Sequence, residues 1–214
     1  MKTDEQFLIT LNRELGSGGR SIGREVAARL GVRFYDKFLL ESLVKEFHLD
    51  ADEIEKLKGQ KKGWWAEFCD RISRTPAEGL THSGAPLCPE EITSDDLYRA
   101  ESRILGQIAS EESCVVAGRT AFHILRDHPN KIRVFIRASM DRRIERVMSR
   151  QGLSEEEAAA VIQKVDEGRE NYVRRYTGTS RYDARNYDLV LNVDNLTVEQ
   201  AVRLIMDYIK DCEK

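Results

Sequence analysis

Residues 12–20 read Asn-Arg-Glu-Leu-Gly-Ser-Gly-Gly-Arg, and they lie between an apolar run at 7–11 and an amphipathic run at 21–30. No other feature constrains the fold as strongly. A short apolar run predicts a buried strand, and apolar residues at Ile22, Val26, Ala27 and Leu30 predict a helix. Glycines let the intervening backbone wrap closely, so that several N–H groups face one anion. The helix that follows adds the positive end of its dipole. A strand, a glycine-rich turn and a helix in that order predict a phosphate-binding turn formed by Gly16, Ser17, Gly18, Gly19, Arg20 and Ser21.

The phosphate-loop pattern G-x-x-x-x-G-K-[ST] fits this turn with two departures. Its last three positions fall on Gly19, Arg20 and Ser21, and its first glycine falls on Glu14. Arginine for lysine keeps the charge and changes the geometry. Ser21 keeps the hydroxyl that meets Mg²⁺, so it is the expected metal ligand. The dinucleotide pattern G-x-G-x-x-G fits poorly, because the spacing of Gly16, Gly18 and Gly23 is wrong and Asp36 comes early for a ribose-binding acid.

Further apolar runs at 32–35, 113–117, 132–136 and 188–193 alternate with helical periodicity at 95–110, 140–150, 154–176 and 197–210. This alternation predicts an α/β domain with a five-stranded parallel sheet. Gly31 is placed to cap the first helix, and Ser154 with Glu157 forms a capping box. Residues 37–58 read as one or two amphipathic helices. Residues 59–95, rich in glycine and proline, read as an irregular insertion.

The net charge of −3 argues against a nucleic-acid binder. Four cysteines, at 69, 88, 114 and 212, match no zinc spacing, and Cys114 is expected as a buried thiol. No run approaches the roughly 20 apolar residues that span a bilayer, and the opening Met-Lys-Thr-Asp-Glu-Gln lacks an apolar signal core. A cytoplasmic protein with no membrane partner is expected. Trp64-Trp65 reads as an anchor for the insertion or as a contact with a second copy, which leaves a homodimer open.

Arginines cluster at 142–150 and 169–185. Their planar fork suits phosphate. Arg142 and Arg146 follow the fourth strand and stand evenly between ligand and surface roles, whereas Arg143 and Arg150 are expected on a solvated face. Arg169 and Arg174, late in the long helix, are expected to act on phosphates, and Gly168 beside them marks a candidate flexible point. Arg119 ends the third strand after Gly118, which favours a ligand role, and Arg103 on the preceding helix is a weaker candidate for the same pocket. No apolar strand ends in an acid suited to a second magnesium ligand.

Arg13, Glu14, Gly16, Ser17, Gly18, Gly19, Arg20, Ile22, Gly23, Tyr35 and Asp36 together resemble the opening of the cytidylate kinase-like proteins, a divergent branch of the nucleoside monophosphate kinases. The segment around Gly118-Arg119 and the closing strand and helix also resemble that family. The resemblance covers nearly the whole chain except 59–95. It implies a three-layer P-loop kinase fold over residues 1–214, with an acceptor-binding insertion at 37–95 and a helical lid at 150–185. It implies Mg²⁺-dependent transfer of the ATP γ-phosphoryl group to a nucleoside monophosphate, CMP by family name. Arg20, Arg169 and Arg174 are then the catalytic arginines, and Asp36, Arg119 and Arg103 hold the acceptor. Two alternatives stay open: a nucleotide-binding regulatory protein without kinase activity, and a P-loop kinase for a different small acceptor.

Overall fold

The computed structural model describes residues 1–36, 94–118 and 120–213. The expectations for residues 37–93, including Trp64-Trp65 and two of the cysteines, and for Arg119 lie outside the described residues. The chain divides into two compact units, one of Met1–Tyr35 with Gly106–Lys214 and one of Asp36–Leu105.

Strands β1 (Leu8–Arg13), β2 (Arg33–Asp36), β3 (Cys114–Ala117), β4 (Lys131–Arg137) and β5 (Leu189–Asn192) form one sheet in the order β2-β3-β1-β4-β5. The pairs β1–β3, β1–β4 and β4–β5 are all parallel. Central β1 is buried on both faces, as a strand covered on both sides is: Leu8, Ile9 and Leu11 are fully buried, and so are the polar Thr10 and Asn12. Parallel neighbours need long crossovers, and helices supply them.

The helices are α1 (Gly19–Leu30), α2 (Ser94–Glu111), α3 (Ala121–Ile124), α4 (Met140–Gln151), α5 (Glu155–Thr177) and α6 (Val198–Asp211). Alternate residues of β4 face opposite sides of the sheet. Val134 and Ile136 join Ile22 and Val26 of α1 and Val202 and Ile205 of α6 in one cluster. Phe135, between them, joins Phe122 of α3, Val173 of α5 and Tyr187 on the other side. The result is three layers, with each buried aliphatic side chain contributing on the order of 2 kcal/mol.

The expected helix ends are present. Gly31 adopts a left-handed conformation and donates its N–H to Ala27 and Ala28. Ser154 and Glu157 cap α5 reciprocally. That helix runs unbroken through Gly168. Cys114 is a buried free thiol, and burial pushes its pKa up. No helix among the described residues is long and apolar enough to cross a membrane.

The register fixes where the functional edge lies. Leu11 pairs with Ala117, Arg13 with Ile136, and Arg137 with Asn192. The residues that follow these strands therefore leave the sheet at one carboxyl edge, where open α/β sheets bind ligands.

Candidate functional site

The turn after β1 is held from within. Glu14 donates its N–H to Ile136 O at 3.1 Å, and Ser17 returns both its N–H and its hydroxyl to Glu14 O at 3.3 and 2.8 Å. Gly16 and Gly18 have φ of 82° and 80°, a left-handed geometry that glycine adopts without strain. A Cβ on Gly16 would stand 2.7 Å from Arg143 O, so the turn lies directly against α4.

Helix α1 starts at Gly19 with no side-chain cap and no acid in its first turn. Among the described residues the N–H groups of Gly16, Gly18, Gly19 and Ser21 meet no acceptor, and the Ser21 hydroxyl has no partner. An uncapped N-terminus leaves orphan donors and a positive dipole end facing outward. The Arg13 side chain passes over this opening. A Cβ on Gly19 would meet its Cβ at 2.6 Å, and one on Gly118 (φ 86°) would overlap its guanidinium.

Two carboxylates organise the arginines behind the turn. Asp166 of α5 accepts the Leu15 N–H at 3.1 and 3.3 Å and pairs with Arg143, with Arg169 at 3.0 Å and with Arg181 at 3.2 Å. Glu14 accepts the Ala138 N–H at 2.9 Å and faces Arg143 at 3.6 Å. Arg143 also donates to Leu15 O at 2.8 Å, Arg146 to Ser17 O at 3.0 Å, and both Arg169 and Arg181 to Arg13 O. Burial lowers the Arg169 pKa, and the neighbouring Arg181 charge adds to this. Tyr187, whose phenol burial pushes up, accepts from Asn12 at 3.0 Å and donates to Arg181 O at 2.7 Å. The protonated phenol is the form that this last bond requires.

The sequence candidates fall into distinct places. Gly16, Ser17, Gly18, Gly19 and Ser21 form the turn and the helix start, and Arg20 is exposed on the first turn of α1. Arg169 reaches the backbone before the turn. Arg174 instead gives Nε to Glu170 at 2.5 Å and is largely exposed, with no hydrogen bond to the turn among the described residues. Asp36, at the end of β2, is buried, and Arg103 on α2 is exposed; both belong to the second unit. Arg142 pairs with Glu145 on the surface. Arg143 corrects the expectation of a solvated residue: it shares the buried face of α4 with Val147, four residues on.

Sequence reasoning missed Asp166 as an organising group and Arg181 altogether. A signal existed for Asp166, which continues the buried stripe Ala158–Ile162 of α5 at the next i+4 position. Arg181 follows the helix in a segment with no period.

The arrangement suits a polyphosphate. Open amides, a helix N-terminus and the Ser21 hydroxyl lie at the turn, Arg146 and Arg169 donate to the Ser17 and Arg13 carbonyls, and Arg20 is exposed on the first turn of α1, while Glu14 and Asp166 are occupied by backbone N–H groups and arginines. No cluster of three metal-binding side chains exists among the described residues. The Ser21 hydroxyl, a hard oxygen without a partner among the described residues, is a donor of the type that magnesium accepts.

The sequence model of the cytidylate kinase-like family matches residues 8–195. The cytidylate kinase of Pyrobaculum neutrophilum is 30% identical over 204 residues, 94% of this chain and 92% of its own length. A solved structure described as an uncharacterized protein from Eubacterium ventriosum superposes with a TM-score of 0.71 at 25% identity, covering 96% of this chain and 99% of that one. A gluconokinase from Sinorhizobium meliloti shares the fold, with a TM-score of 0.52 at 19% identity over 100% of this chain and 95% of its own. The chain belongs to the cytidylate kinase-like family.

Proposed function

We propose that this chain transfers the γ-phosphoryl group of ATP to the phosphate of a nucleoside monophosphate, CMP or dCMP, releasing ADP and the nucleoside diphosphate. The observation that carries this reading is the uncapped start of α1, whose amides are open beside arginines in a chain of this family. The choice of cytidine rests on the name of relatives such as the Pyrobaculum neutrophilum enzyme.

Phosphoryl transfer asks the protein for positioning and positive charge. In this reading Gly16, Gly18, Gly19 and Ser21 hold the donor phosphates through N–H groups, and Arg20 supplies a nearby charge. Ser21 would hold Mg²⁺, which would supply positive charge against the donor phosphates. Arg169 faces the transferring group, and Asp36, Arg119 and Arg103 belong to the acceptor side. Nucleotides are the partners of such an enzyme, which would work in the cytoplasm without a membrane or nucleic acid.

A coupled assay of ADP release, with Mg-ATP and a panel of monophosphates, tests the proposal. Turnover is expected with CMP and dCMP. ATP binding without ADP release for any acceptor would favour a regulatory protein, and turnover of another acceptor alone would overturn only the cytidine assignment. Arg20→Ala is expected to weaken ATP binding, and unchanged affinity would move the donor site elsewhere.

A further inference from the structure

Three arginines from separate segments converge on the Asp166 carboxylate, which is almost wholly buried. Two of them are spent on holding the fold. Arg143 gives Nη2 to Asp166 and Nε to Leu15 O, and its Nη1 faces Glu14. Arg181 gives Nη1 to Asp166 and Nη2 to Arg13 O, and its side chain is 3% exposed.

Arg169 differs from both. Its side chain is 34% exposed, and only Nη1 is engaged, at 3.0 Å to Asp166 and 3.4 Å to Arg13 O. Among the described residues its Nε and Nη2 have no partner. One end of the fork is therefore anchored and the other keeps its donors.

We propose that Asp166 is a positioning residue for Arg169, fixing one nitrogen of the guanidinium so that the remaining N–H groups meet the phosphoryl oxygens in the transition state. The same carboxylate accepts the Leu15 N–H, so one group sets both the phosphate turn and the arginine that faces it. This inference rests on the phosphotransferase reading above. A guanidinium held by a charge-assisted bond has lost its rotational freedom before the reaction, and misplacement by about 1 Å costs on the order of 100-fold in rate.

The test is a double-mutant cycle on kinetics. Asp166→Asn keeps the shape and removes the charge. It is expected to lower kcat about 100-fold while the KM for ATP changes less than about 3-fold, because the lost interaction belongs to the transition state. Arg169→Lys is expected to show the same split. The double variant is expected to be no more than about 3-fold slower than the slower single variant, since both changes remove one function. Independent losses that multiply would overturn the proposal, as would a raised KM with kcat unchanged. Where Asp166→Asn does not fold, Asp166→Glu replaces it with the same expected split, and failure of that variant to fold also overturns positioning in favour of a purely structural role. Absence of transfer by the unaltered protein would instead sink the phosphotransferase reading itself.

Discussion

Glu14 Oε2 accepts the backbone N–H of Ala138 at 2.9 Å. The residue that stands where the phosphate-loop pattern has its first glycine therefore straps the turn to the segment between β4 and α4. Restoring the pattern with Glu14→Gly is expected to harm the protein. It leaves the Ala138 N–H without its acceptor and adds glycine's conformational freedom to the unfolded chain, a loss of about 2–3 kcal/mol. Glu14→Gln keeps an acceptor oxygen and is expected to cost about 1 kcal/mol. Urea unfolding of the three proteins measures both values, and a glycine variant as stable as the parent would rule out the strap.

Gly16 and Gly18 share a left-handed backbone but not a neighbourhood. The nearest atom to a Cβ on Gly18 is Arg146 Nη1 at 4.0 Å, whereas one on Gly16 would press on the Arg143 backbone at 2.7 and 3.0 Å. Gly18→Ala is expected to cost only the left-handed penalty, about 1–2 kcal/mol. Gly16→Ala must also move α4 or the turn, so about 3 kcal/mol or more is expected. Thermal melts should rank Gly16→Ala clearly below Gly18→Ala; equal Tm values would mean that α4 yields freely.

Neighbouring arginines on α4 give a sharper contrast. Arg143 is buried against Asp166 and Leu15 O, while Arg142 is half-exposed and pairs with Glu145. Arg143→Ala leaves Asp166 short of a partner and is expected to cost about 3–5 kcal/mol. Arg142→Ala removes a surface pair and should cost less than about 1 kcal/mol. Chemical denaturation distinguishes the two.

The sheet, the five long helices among the described residues, the caps at Gly31 and Ser154 and the glycine-rich turn were legible, because each rests on local periodicity or on a local backbone rule; the one-turn helix Ala121–Ile124 is too short to show a period. Arg143 and Asp166 were not read as a pair, although each carried a clue: each is a charged residue on the buried stripe of its helix, beside Val147 and Ile162 respectively. Two opposite charges on two apolar stripes satisfy one another when the helices pack, and Val147, Ala158 and Ile162 form that contact. Arg181 gave no such clue. Its burial depends on meeting Asp166 and Arg13 O across long stretches of chain, which no local pattern encodes.

Asp188 links stability to pH. It accepts from Arg133 through the backbone N–H at 2.8 Å and through Nε and Nη2 at 3.1 and 2.7 Å. Burial works to raise its pKa, but the hydrogen bonds and charge of Arg133 together hold it below the ordinary aspartate range. A carboxylate with a depressed folded pKa adds stability that is complete above its unfolded pKa of about 3.9 and is lost as pH falls through the folded value. Asp188→Asn is expected to lower stability near pH 7 and to flatten the acid limb below about pH 4. Denaturation midpoints between neutral and acid pH check this, and an unaltered acid limb would exclude Asp188 as its source.

Arg169 and Arg174 were equal candidates in the sequence, and the structure separates them. Arg169 sits one turn from Asp166, touches the backbone before the phosphate turn and retains two unpartnered nitrogens among the described residues. Arg174, five residues on along α5, gives Nε to Glu170 in an i,i+4 pair, and its side chain is 65% exposed. A surface pair of this kind is weak, so Arg174 is inexpensive to remove. Arg169→Ala is expected to lower kcat by about 100- to 1,000-fold, the range for loss of a donor to developing transition-state charge. Arg174→Ala should leave kcat within about 3-fold of the parent protein. Steady-state kinetics on the two variants decides between them: a comparable loss in Arg174→Ala would mean that the segment after Arg169 swings toward the phosphates during turnover and breaks the Glu170 pair to do so.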